Sequence, residues 1–195
     1  MYLKLIRNQA KSSAITSRLV IDGRCFCNTL ERVGYQIPAL CYHVAVTQSP
    51  KFKRPLPLVI GVPRLPIGGT PSNSEASDRA KPVQYPAAEC RTGIRFHRGT
   101  KPEHSTGCIL VVADNPSRAR ELIGAEVVEN KVVDVVVNNK IPVGGRSAAD
   151  VENQLTQLLL QAQQAHEEII LEVIDFTPGT EYGYDHPCPP ELQKP

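Results

Sequence analysis

Hydrophobic and polar residues alternate along much of the first third of the chain, with the two-residue period of a strand that is buried on one face. In the longest alternating segment, Leu40, Tyr42, Val44 and Val46 fall on one side. Asp22-Gly23 interrupts the pattern with a dipeptide typical of tight hairpin turns. The alternation predicts strands at 2–8, 15–22, 25–31, 39–48 and 58–62.

The second half combines strand and helix signals. Runs rich in β-branched residues predict strands at 90–97, 107–114, 131–137 and 168–176. A start signal at 114–117 and Gly124 bound a short predicted helix over 118–123. Ser147 and Asp150 have capping-box spacing, and strong helix formers continue from there to 165. The order of elements predicts an α+β fold that is mainly β. We expect a mixed or antiparallel, barrel-like sheet with one short helix and one longer C-terminal helix.

Proline, glycine and serine fill residues 63–89, where neither the strand period nor the helix period persists. This composition predicts a long loop that covers the neighbouring site or is disordered. A single domain is predicted over 1–176, followed by a loose, proline-rich tail over 177–195.

The composition is that of a globular protein of 195 residues, 41% of them hydrophobic and 22% charged. No apolar run has membrane-spanning length, and the first residues alternate too regularly for a signal peptide. We therefore expect a cytoplasmic protein, unless it is released, injected or part of a phage particle. Most of the six cysteines are expected to be small buried hydrophobes rather than disulfide partners.

Charge is unevenly distributed although the net charge is only +2. Basic residues outnumber acidic ones over 50–101, whereas the segment from 149 to the end is strongly acidic. A basic stretch favours an anionic ligand, although solvated loops with a chance bias are an equal alternative. Aromatic residues, 5% of the chain, are too few for a nucleic-acid surface.

His97 and Cys108 are the residues with the clearest chemical potential. Each lies at the edge of a predicted strand, so neighbouring strands would bring imidazole and thiol close together. A histidine activates a cysteine nucleophile as a base or as a stabilising imidazolium. Gly107 permits a close approach, and the amides of the turn formed by Ser105, Thr106 and Gly107 are candidates for an oxyanion site.

Arg95 and Arg98 flank the histidine and are predicted to hold a substrate carboxylate. Two alternatives remain open: His97 and Cys108 can be structural, or they can bind zinc together with His104. The preferred interpretation includes no metal and no other cofactor.

The segments His97-Arg-Gly-Thr and Ser105-Thr-Gly-Cys-Ile resemble the His-Gly-Thr and Ser-x-Gly-Cys-Ile signature of L,D-transpeptidase catalytic domains. These β-rich enzymes remodel bacterial peptidoglycan. The resemblance implies that Cys108 attacks a peptide carbonyl to form a thioester, with His97 as its activating base and Ser105 and Gly107 in the oxyanion turn. Leu110 stands where those enzymes usually have an arginine, and the gap between histidine and cysteine is shorter here.

A second resemblance covers about residues 2–112. It rests on Cys27-Asn-Thr-Leu-Glu, Ile37-Pro with Tyr42, Ser49-Pro-Lys-Phe, Val62-Pro and the block from His97 to Cys108. In this order the motifs are similar to a small uncharacterised family of bacterial and phage proteins.

Two functions follow as predictions. The first is cysteine-dependent acyl transfer or peptide hydrolysis on peptidoglycan-like peptides. The second is a non-catalytic binding or structural module, related to phages or secretion, whose basic region over 50–101 contacts an anionic partner.

Overall fold

Short alternating segments separated by turn residues form strands, and the one long run of helix formers forms a helix. The computed structural model describes residues 1–64, 82, 84–113 and 146–175. The strands are β1 (Tyr2–Arg7), β2 (Ala14–Ile21), β3 (Arg24–Arg32), β4 (Cys41–Gln48), β5 (Pro55–Ile60), β6 (Phe96–Arg98), β7 (Ile109–Val111) and β8 (Ile170–Ile174). The helix α1 spans Ala148–Gln164, and 3-10 turns occupy Ala87–Glu89 and Pro102–His104.

Several predicted segments lie outside the described residues. They are the helix over 118–123, the strand over 131–137, the tail over 177–195 and most of the loop over 63–89.

The eight strands form one sheet in the order β5-β4-β8-β1-β2-β3-β7-β6. Its two edges approach each other, since the N–H of Val59 donates to the Ile94 carbonyl at 2.8 Å and Leu58 bridges to Arg95. The sheet is therefore nearly closed and barrel-like, and the predicted mainly β, α+β fold is confirmed.

Strand connections follow the local sequence signals closely in the N-terminal half. β2 and β3 pair antiparallel across Asp22 and Gly23, which both have positive φ, 45° and 79°. This left-handed pair is the geometry that Asp-Gly favours in a two-residue hairpin. The C-terminal strand β8 then inserts between β1 and β4, parallel to the first and antiparallel to the second.

The inner face of the sheet and one side of α1 share a single aliphatic core. The helix contributes Val151, Leu155, Leu159 and Ala162 to it, as its periodicity predicts. The predicted capping box is also present: Ser147 Oγ accepts the Asp150 N–H at 3.1 Å, and the Ser147 N–H donates to Asp150 Oδ2 at 3.0 Å.

A buried ion pair links β1 to β3. Arg7 donates from Nε and Nη2 to the two carboxylate oxygens of Glu31, each at 2.8 Å, and both side chains are almost fully buried. Arg7 also donates to the Ile37 carbonyl at 2.7 Å and to Asp175 at 2.8 Å. Four of the cysteines, Cys25, Cys27, Cys41 and Cys90, are buried thiols, as predicted.

The strands around the candidate site are shorter than predicted. The expected strand over 90–97 is reduced to Phe96–Arg98, and the one over 107–114 to Ile109–Val111. Before β6 the backbone makes only single bridges, from Cys90 to Pro63 and from Arg95 to Leu58.

Candidate functional site

The site is built on β6 and β7, which pair in parallel although few residues separate them. Phe96 pairs with Ile109 and His97 with Leu110, and the Ile109 N–H donates to the Arg95 carbonyl at 3.0 Å. Cys108 therefore lies beside Arg95, on the same face as His97 because alternate residues share a face. From standard strand spacings, the Cα atoms of His97 and Cys108 lie about 8 Å apart on a diagonal.

Phe96 and Ile109 belong to the inner core, so His97 and Cys108 project from the outer face of the sheet. The structure thus brings the two predicted residues to one face of two neighbouring strands.

Cys108 is half-buried, whereas the other described cysteines are buried. Its Sγ donates a long hydrogen bond to the Gly93 carbonyl at 3.7 Å. Burial raises the pKa of the thiol, while the main-chain N–H of Arg95 and the charges of Lys51, Arg91 and Arg95 oppose that rise. The resting residue is therefore a protonated thiol with cations close by.

His97 is buried, at 4% exposure, and its Nδ1 lies 2.9 Å from the Arg98 carbonyl oxygen. Because a carbonyl only accepts, Nδ1 carries the proton and the neutral ring keeps its free lone pair on Nε2. Burial lowers the pKa of the imidazole most strongly, and the nearby Glu152 carboxylate partly offsets this. A buried, neutral imidazole with an unprotonated Nε2 is suited to accept a proton.

A tight turn holds the backbone that leads into Cys108. Ser105 Oγ donates to the Cys108 carbonyl at 2.6 Å and accepts the Gly107 N–H at 2.9 Å. The N–H groups of Thr106 and Cys108 are the amides of this turn that no described residue engages, so they are the ones available to an oxyanion.

Arg91 packs against this turn, and its guanidinium donates to the carbonyls of Tyr35 and Thr106. Gly107 has φ +127°, and a Cβ there would lie 1.9 Å from Arg91 Nη2. The glycine is thus required both for the backbone conformation and for the packing of Arg91.

The two predicted carboxylate-binding arginines have different surroundings. Arg95 is buried, and its terminal nitrogens donate to Thr47 O at 3.0 Å, Leu56 O at 2.8 Å, Thr47 Oγ1 at 2.8 Å and Gln48 O at 3.3 Å. A ligand carboxylate would have to displace these contacts. The Arg98 side chain is exposed, and its backbone N–H donates to Glu152 Oε2 at 2.7 Å.

Residues from the turn between β4 and β5 complete the site. The Phe52 ring packs against His97 in a tilted arrangement with centroids 4.6 Å apart, and the Arg54 guanidinium lies 5.3 Å from the Phe52 centroid. Arg54 also donates from Nε and Nη2 to the two carboxylate oxygens of Glu152, at 2.9 and 3.0 Å. The buried Glu152 therefore ties this turn and β6 to α1.

The sequence analysis did not single out five of these neighbours: Lys51, Phe52, Arg54, Arg91 and Glu152. A local signal existed for Glu152. It precedes Leu155 and Leu159 by three and seven residues, so the periodicity of α1 places a carboxylate on the buried stripe.

The zinc alternative is not supported by the geometry. Within the described parts of the chain, no group of three or more histidine, cysteine, aspartate or glutamate side chains is arranged to hold a metal ion. His104 instead accepts the Thr100 N–H on Nδ1 at 3.3 Å. None of the helices in residues 1–64, 84–113 and 146–175 has the length and apolar character required to cross a bilayer.

Fold and site together define a mainly β, α+β protein with a cysteine and a histidine on the outer face of two adjacent strands. No family model, curated protein or solved structure matches the chain.

Proposed function

We propose that the protein catalyses cysteine-dependent acyl transfer or peptide hydrolysis on peptidoglycan-like peptides, with Cys108 as nucleophile and His97 as base. The main support is that an accessible thiol and a neutral imidazole share one face of two adjacent strands. The sequence resemblance of this block to L,D-transpeptidase domains supplies the substrate class.

In the proposed reaction, the thiol proton of Cys108 passes to His97 Nε2 as the sulfur forms a bond to the peptide carbonyl carbon. The unengaged amides of Thr106 and Cys108 are the candidate donors to the resulting oxyanion. The C–N bond then breaks, and the amine leaves with the proton from His97. Water or an acceptor amine attacks the thioester, releases the acyl group and returns the proton to the sulfur.

The direct test incubates wild-type protein with peptidoglycan-derived peptides and follows both peptide and protein by mass spectrometry. We expect an acyl adduct on Cys108 whose mass equals the donor minus its leaving amine. Cys108→Ala should form neither adduct nor product. Turnover by Cys108→Ala at the wild-type rate would refute the assignment of the nucleophile.

A chemical test probes the base separately. We expect Cys108 to react with iodoacetamide faster than the other cysteines near neutral pH, and His97→Ala to remove that excess. His104→Ala is the matched control because His104 is an exposed histidine of the same connection. Equal labelling of all accessible cysteines would count against this role for His97.

The second candidate is a binding or structural module, phage- or secretion-related, whose basic 50–101 region contacts an anionic partner. The raised pKa of Cys108 favours this candidate because a protonated thiol is a poor nucleophile, and the nearby cations suit an anionic partner. Under this alternative, Cys108→Ser folds and functions normally, whereas charge reversal at Arg98 weakens partner binding.

A further inference from the structure

Three cations act on the Cys108 thiol, and none of them forms an ion pair with a carboxylate of the residues that the structure describes. Lys51, Arg91 and Arg95 all act electrostatically on the thiol. Arg95 is only 6% exposed, and within the described part of the chain it forms no ion pair. A buried cation is usually paired, so this unneutralised charge is a reason to look for an anionic ligand.

The three cations differ in the donors that they can offer. Arg95 uses its terminal nitrogens on main-chain and threonine oxygens, so it supplies charge rather than a free binding edge. The Arg91 guanidinium is fixed against Gly107, directly beside Cys108, by two carbonyl contacts. Those contacts use one hydrogen of each terminal nitrogen and leave further N–H donors.

Lys51 lies on the exposed turn between β4 and β5. Its Nζ is 5.3 Å from the centroid of the Phe52 ring, and the centroid of that ring is 4.6 Å from that of His97. The Lys51 charge acts on both His97 and Cys108. The ammonium group is therefore within electrostatic reach of both side chains and, within the described residues, forms no ion pair with a carboxylate.

We propose that Lys51 and Arg91 form an anion subsite beside Cys108, which binds a carboxylate carried by the substrate close to the carbonyl that the thiol attacks. The subsite rests on the contacts around the thiol. Only its use for an acyl donor rests on the proposed function. It selects substrates with a free carboxylate near the scissile bond over neutral or amidated ones.

The test compares alkylation of Cys108 by iodoacetate, which carries a carboxylate, and by neutral iodoacetamide, at low salt. The readout is the ratio of the two rate constants, measured on the peptide that contains Cys108. A change in thiol pKa affects both reagents alike and cancels in the ratio. In the wild type we expect a ratio above that of a small free thiol, decreasing as salt is added.

Lys51→Met should lower this ratio by about three- to ten-fold, the effect of one screened charge at short range. Lys51→Glu should lower it further. Lys53→Met is the matched control, because Lys53 is exposed on the same turn and should change the ratio less than about two-fold. Arg91→Met should also lower the ratio, and Arg91→Lys should retain most of it.

A wild-type ratio equal to that of a free thiol, or an unchanged ratio in Lys51→Met, would overturn the subsite. The outcome is separable from the proposed function. The ratio responds to Lys51 even if Cys108 forms no acyl adduct, and an adduct can form even if the ratio does not respond to Lys51.

Discussion

Glu152 offers the sharpest test of how the site is held together. Its buried carboxylate accepts two hydrogen bonds from Arg54 and one from the Arg98 N–H. Glu152→Ala removes all three. The Arg54 side chain is 32% exposed and regains water, so the lost ion pair costs about 1 kcal/mol. The Arg98 N–H loses its buried acceptor at about 1–2 kcal/mol, and the lost side-chain packing adds about 1 kcal/mol.

We therefore expect Glu152→Ala to lower the free energy of unfolding by about 3 kcal/mol in urea titrations followed by circular dichroism. Glu152→Gln keeps an acceptor for the Arg98 N–H and should cost about 1 kcal/mol. Gln157→Ala, an exposed substitution in the same helix, controls for changes in helix propensity.

Loss of the Glu152 charge has a second consequence, on His97. The carboxylate raises the pKa of the imidazole, so Glu152→Gln should shift the titration of His97 to lower pH in NMR spectra. A free energy of unfolding for Glu152→Ala within about 0.5 kcal/mol of the Gln157→Ala control would refute the reasoning. So would an unchanged His97 titration in Glu152→Gln.

Three further predictions test the turn, the ion pair and the histidine. Gly107→Ala should displace Arg91, cost about 1–3 kcal/mol in urea unfolding and slow Cys108 alkylation, whereas unaltered labelling would contradict the turn geometry. Arg7→Met leaves Glu31 buried without its partner and should cost about 3–5 kcal/mol, most of it recovered when Glu31→Leu is added. Because the folded pKa of His97 lies below 6.5, stability should decline as pH falls below 6.5, where the unfolded chain binds the proton more readily. The melting temperature of His97→Gln should fall less steeply with decreasing pH than that of the wild type. Identical slopes for the two proteins would argue against a lowered pKa of His97.

The elements that were predicted correctly are those formed by interactions between residues close together in the sequence. The Asp22-Gly23 hairpin and the capped helix from Ser147 depend on residues a few positions apart, and both are present as predicted. The predicted strand over 90–97 was too long, because β-branched composition does not reveal which residues find a pairing partner. Only Phe96–Arg98 meets the neighbouring strand β7.

The neighbours of His97 and Cys108 could not be predicted in the same way. Lys51 and Phe52 reach the site because β5 and β6 approach at the closing edges of the sheet, a contact with no local signal. The parallel pairing of β6 and β7 could not be predicted either, because parallel strands usually need a longer connection. The charge bias over 50–101 does not reveal which of its cations lie beside the thiol.

Leu110 is a position at which the block around Cys108 differs from the L,D-transpeptidase signature that it resembles. Those enzymes usually have an arginine at this position. Here Leu110 is fully buried with Leu30 and Val112, and Gly99 lies against it so closely that a Cβ on the glycine would be 2.8 Å from the leucine methyls. These apolar neighbours and the close contact with Gly99 leave little space for a larger side chain.

Leu110→Arg should therefore destabilise the protein by about 3–5 kcal/mol, the cost of an uncompensated buried charge. Leu110→Met keeps the volume and the apolar surface, and should cost less than about 1.5 kcal/mol. The free energies of unfolding of the two variants in urea distinguish the effect of the buried charge from that of a changed side-chain shape. If Leu110→Arg is as stable as the wild type, the arginine side chain reaches solvent, and this position can accept the arginine that L,D-transpeptidases usually have. If the cost is as expected, any carboxylate recognition in this protein has to come from cations outside β7, and the cations beside Cys108 are those of Lys51, Arg91 and Arg95.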